Sequence, residues 1–171
     1  MSLYSVTIDF TPTVLSQGTS YWAMQNGSTG NRIFIREFSV MSEFSGTVAL
    51  SVSKFGLYRF SGGPPVAGGG AGLTLSAAKF DSTNPASSLQ TAVKNSGGIT
   101  MTGTTVETTN LLQITVLNQL LMTGFIDLFG GNSDNDHDVC LNPGEGLVLQ
   151  ANNTLVAGIA LHGFVTWAEA L

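Results

Sequence analysis

Leu111-Leu112-Gln113-Ile114-Thr115-Val116-Leu117-Asn118-Gln119-Leu120-Leu121-Met122 is the one stretch of this chain that a helix could claim. Leu112, Ile114 and Val116 alternate with Gln113 and Thr115, however. A period of two belongs to a strand with one buried face, and Gly124 closes it. With this segment read as a strand, no helical pattern remains. The chain is then all-β with little helix.

The neighbouring segments fit that reading. Leu155, Ala157, Ile159, Leu161, Val165 and Trp167 share one parity and predict a buried terminal strand. Asn142-Pro143-Gly144 marks a turn, followed by a short strand at Leu147–Gln150. Within Thr47–Phe55, Val48, Leu50 and Val52 point one way and Ala49, Ser51 and Ser53 the other, so the first set is expected in the core. Across Arg32–Met41 the apolar parity changes, which predicts burial on both faces or a bulge near Arg36-Glu37. Asn26-Gly27-Ser28-Thr29-Gly30 reads as a turn. Leu73–Phe80 and Ser88–Lys94 are weaker strands, and Gly62–Gly72, rich in Gly and Pro, reads as a long surface loop. About eight strands result, which suits a two-sheet antiparallel sandwich of jelly-roll type.

A chain of 171 residues is expected to form one domain and to bury a substantial core. Residues 19–171 read as that sandwich. Residues 1–18 read either as an extended arm or as an edge strand, because Val6 and Ile8 alternate with polar neighbours before Pro12. As an arm the segment would lie on a neighbouring molecule, with Val6 and Ile8 filling pockets by strand addition.

Charged residues make up 10% of the chain, while Ser, Thr, Asn and Gly together number 68 of 171. A typical soluble domain is about 25% charged. The surface is therefore largely neutral and rich in hydroxyls, which favours association. The six basic residues, Arg32, Arg36, Lys54, Arg59, Lys79 and Lys94, are scattered, and the net charge is −5. Binding to a phosphate backbone needs clustered cations, so no nucleic-acid partner is expected. No signal peptide and no apolar run of membrane length is visible, so no membrane partner is expected, and synthesis in the cytoplasm is.

Chemistry has few places to reside. Asp134, Asp136 and Asp138, with Glu145 further on, approach the spacing of a calcium loop. Val139 stands where the sharp-turn glycine would be, Pro143 interrupts, and the flanks read as strands, so a solvated acidic loop is the favoured reading. His137 and His162 are the only histidines and Cys140 the only cysteine. His162 falls opposite the apolar parity and is expected at the surface or an interface; Cys140 is expected to be a buried, inert thiol. No nucleophile, zinc or phosphate-loop motif is present. A pair formed from isolated carboxylates such as Glu107, Asp127 or Glu169 would leave no trace in sequence. No cofactor and no catalytic residue is therefore expected. Trp167 has core parity, whereas Trp22, beside Tyr21, is open between a core role and an exposed one.

Taken in order, Tyr21-Trp22, the strand Ile33-Phe34-Ile35-Arg36-Glu37-Phe38-Ser39-Val40, the turn and strand Asn142-Pro143-Gly144-Glu145-Gly146-Leu147-Val148-Leu149, and the ending Gly163-Phe164-Val165-Thr166-Trp167-Ala168-Glu169 resemble the small jelly-roll capsid decoration (cement) proteins of tailed bacteriophages. The resemblance implies a non-enzymatic virion protein, often a homotrimer, that binds the outer face of the major capsid protein shell. It brings no catalytic residues. Val6, Ile8 and Trp22 are then candidate interface residues. Two other readings stand beside it: a tail, collar or fibre-head domain, and a carbohydrate-binding sandwich that would need Trp22 exposed in a shallow groove.

Overall fold

The computed structural model describes residues 1–27, 29–45, 51–70, 72–117, 125–127 and 139–169. Thirteen strands and no helix occur among the described residues. They are β1 (Ser2–Phe10), β2 (Ser20–Asn26), β3 (Ile33–Phe44), β4 (Val52–Gly62), β5 (Leu73–Leu75), β6 (Ala78–Lys79), β7 (Leu89–Lys94), β8 (Thr104–Val106), β9 (Leu112–Leu117), β10 (Phe125–Asp127), β11 (Val139–Leu141), β12 (Glu145–Ala151) and β13 (Ile159–Glu169). Eight of them have six residues or more. The excess over the expected eight comes from five strands of two or three residues, where connecting segments dock on sheet edges.

Two antiparallel sheets form a β-sandwich. One has six strands in the order β10-β3-β13-β1-β6, with β11 also on β3. The other has seven in the order β5-β7-β2-β12-β4-β8, with β9 also on β4. The pairings nest: β1 lies on β13, β2 on β12, β3 on β10 and β11, and β4 on β9. The core between the sheets is aromatic and branched aliphatic. Tyr4 stacks on Trp167 at 5.9 Å, Phe10 on Tyr21 at 5.3 Å, and Trp22 meets Phe38 edge-on at 6.3 Å. Each such ring removes a large apolar area from water.

The alternation in β9 is as expected, with Ile114 and Val116 buried and Gln113 and Thr115 exposed. The bulge is also present. Trp167 pairs with Ile35 and Thr166 with Glu37, which leaves Arg36 as the extra residue.

Two expectations are corrected. In β4 the core parity belongs to Ser53, Phe55 and Leu57, and Val52 is exposed. Ser53 tolerates burial because its hydroxyl accepts the Val156 N–H at 3.1 Å. Residues 47–50 of that expected strand lie outside the described residues. The Gly- and Pro-rich segment after β4 is more than a surface loop. Val66 bridges to Thr100, the Asn95 side chain donates to the carbonyls of Ala67 and Gly69, and Ala67, Ile99 and Met101 pack with Ala23, Phe60, Val93 and Val148. A second apolar cluster thus covers the outer side of the seven-stranded sheet. That is why all seven residues of β2 are buried. Of the two readings left open for residues 1–18, β1 takes the strand and lies within the six-stranded sheet. All nine of its residues pair with β13, and Tyr4 and Ser5 also pair with β6.

Glu169 ends the sandwich with a buried carboxylate. It accepts hydrogen bonds from Trp167 Nε1 (2.9 Å), Ser87 Oγ (2.5 Å) and the Ser88 N–H (2.8 Å), pinning the segment before β7 to the end of β13. Four lone-pair sites on a carboxylate accommodate these donors together.

Candidate interaction surface

Among the described residues no second apolar cluster covers the outer face of the six-stranded sheet, where Leu3, Met41 and Phe164 are exposed and Ser39, Thr166 and Ala168 are buried. Its composition follows from the ladders, in which directly paired residues point to the same side. One row runs Leu3, Ala168, Phe34, Cys140 across β1, β13, β3 and β11. Next come Ser5, Thr166 and Glu37; then Thr7, Phe164 and Ser39; then Asp9, His162 and Met41. The face therefore grades along the strands from apolar, through hydroxyls, to charged. Phe80 extends the apolar end, since its N–H donates to the Leu3 carbonyl. Leu3 is 43% exposed, Phe164 37% and Phe80 64%, so large apolar groups stand in solvent among neutral neighbours.

The charged end joins three strands of this sheet to β7. Asp9 Oδ1 is 2.8 Å from His162 Nδ1, Asp9 Oδ2 is 3.3 Å from Lys94 Nζ, and His162 Nε2 is 3.5 Å from Glu43 Oε2. Partial desolvation pushes the Asp9 carboxyl up, but the hydrogen bond and charge of Lys94, with those of His162, outweigh it and hold the group below its ordinary value. A cleft of about 250 Å³ opens beside Asp9 and Lys94, and another of about 310 Å³ lies between β5 and the start of β7. Both volumes sit at the small end for ligand sites.

The sequence candidates fall as follows. Val6, Ile8 and Trp22 are buried in the core, so none of the three presents a side chain to a partner. Trp22 is 0% exposed and its Nε1 donates to the Thr7 carbonyl, so the exposed groove that sugar binding requires is absent at this residue. His162 is on the open face with its side chain 44% exposed. Cys140 is half-buried on the same face. It lies opposite Phe34, which faces Ala168, six residues along β13 from His162 and thus about 20 Å away. These two cannot form a nucleophilic pair. Asp134, Asp136, Asp138 and His137 lie outside the described residues. Glu145 is committed elsewhere: its Oε2 accepts from Arg59 at 3.0 Å and from the Asn142 N–H at 2.8 Å. Burial raises the Glu145 carboxyl, and the Asn142 hydrogen bonds and Arg59 more than offset this, holding it low.

No family model matches the chain. Nor does any curated protein or solved structure. The open face is therefore read on its own chemistry. Both ring nitrogens of His162 are directed at carboxylates, and among the described residues no hydroxyl or thiol is bonded to either. Among the described residues no group of three His, Cys, Asp or Glu is placed to hold a metal ion. The residues that sequence reading missed are Leu3, Phe80, Met41 and Phe164. Parity alone could have marked three of them: Leu3 against Val6 and Ile8, Met41 against Phe38 and Val40, and Phe164 against Val165 and Trp167.

Proposed function

We propose that this is a non-enzymatic virion structural protein, a capsid decoration protein that binds the outer face of the major capsid protein shell. The observation that carries this reading is the open outer face of the six-stranded sheet. It runs from an apolar end to a charged end, with Leu3, Phe80, Met41 and Phe164 in solvent. Such a face suits burial against another protein, where apolar anchors sit within a polar rim. The nested pairing of β1 with β13, β2 with β12, β3 with β11 and β4 with β9 supports the jelly-roll reading. The sequence resemblance to phage decoration proteins supplies the partner, and homotrimers at the capsid surface are the assembly it suggests.

Sedimentation of the isolated protein, alone and mixed with capsids, tests this. Trimers or attachment to capsids are expected, and Phe164→Asp should weaken attachment about tenfold or more while leaving the fold intact, since Phe164 lies outside the core. A strict monomer that ignores capsids would sink the reading. Counting copies per particle separates a decoration protein from a tail, collar or fibre-head domain.

A further inference from the structure

His162 stands between two carboxylates contributed by the strands on either side of it. Asp9 of β1 meets Nδ1 at 2.8 Å, and Glu43 of β3 lies 3.5 Å from Nε2. The Asp9 carboxylate also takes Lys94 of β7, so it is ionised and can only accept. Nδ1 therefore carries the proton of the neutral ring, and Nε2 is left with a lone pair. That nitrogen is enclosed and has no hydrogen-bond partner. The group opposite it, Glu43, is another acceptor. Two acceptors facing each other repel, whereas a proton on Nε2 turns the same contact into a charge-assisted attraction. Among the described residues, the other ionisable residue nearby in register is Asp127 of β10, opposite Ser39 and one row along the sheet.

We propose that His162 is a proton-operated clasp across β1, β13 and β3. With the ring neutral, it is tied to Asp9 alone. With the ring protonated, the imidazolium joins Asp9 to Glu43 and links the two outer strands through the central one. The charge of the cluster changes at the same step. Two carboxylates against one ammonium leave −1, and protonation of His162 brings the cluster to neutrality. The clasp rests on the geometry of the sheet and stands apart from the capsid reading. If the face does dock, its charged end loses its net charge on acidification.

The test uses the whole protein without a partner. ¹⁵N NMR of the ring nitrogens is recorded at about pH 8 and about pH 5.5, with His162→Gln assigning the signal. Thermal unfolding of wild type and Glu43→Gln is measured at the same two values. At the higher pH, Nδ1 should be protonated and Nε2 bare; at the lower, both should be protonated. Glu43→Gln should lower the melting temperature by about 1–3 °C in acid and leave it unchanged or raised at the higher pH. Glu43 is largely exposed, so the variant folds. A neutral ring protonated at Nε2, or an equal loss at both pH values, would overturn the proposal.

Discussion

Replacing Gly163 by alanine is expected to cost about 3 kcal/mol or more of stability and to leave little soluble protein. Gly163 sits in β13 at the centre of the six-stranded sheet, between Ile8 of β1 and Val40 of β3. A Cβ there would lie 1.9 Å from the Ser39 carbonyl oxygen and 2.9 Å from its carbon. No side chain can rotate away, because the obstacle is backbone in the longest ladder of the fold. The strands would have to part, and the core beneath them would open. Gly30→Ala is the matched control, since nothing lies within 4 Å of its Cβ. Urea unfolding midpoints of the two variants check the contrast. A Gly163→Ala protein as stable as the Gly30→Ala protein would show that the β3–β13 contact is not as close as described.

Trp22→Ala should be the other severe substitution, at about 3–5 kcal/mol. Its indole is fully buried against Phe38, and its N–H is satisfied by the Thr7 carbonyl. Truncation removes the ring's apolar burial, leaves a cavity between the sheets and orphans that carbonyl. The effect separates two functional readings as well. An exposed sugar-stacking tryptophan would be lost with no change in stability, so calorimetry on this one variant distinguishes a core residue from a binding residue.

Where one face of a strand is covered and the other is wet, the fold was legible from the residues. β9 shows Ile114 and Val116 inward and Thr115 outward. Where both faces are covered the pattern carries no phase. Ser20–Asn26 is buried throughout, so nothing in that string could show whether Trp22 was core or surface. The cover itself was hidden for a different reason. Ala67 and Ile99 reach their partners Val93 and Val148 only after the chain has folded, and a Gly- and Pro-rich composition looks the same whether it packs or not. Ser53 misled because a hydroxyl was weighed as a surface group, while the Val156 N–H that satisfies it lies 103 residues away. The charged cluster on the open face has the same origin. Asp9 and His162 are 153 residues apart and meet only through the β1–β13 register.

The claim that the outer face of the six-stranded sheet is the docking face is tested most directly by side-chain oxidative footprinting of the protein free and bound to capsids. Leu3, Met41 and Phe164 stand in solvent on that face, while Val66 stands in solvent on the cover of the opposite sheet. Binding should protect the first three and leave Val66 as reactive as in the free protein. Protection of Val66 with Leu3, Met41 and Phe164 unchanged would contradict the account.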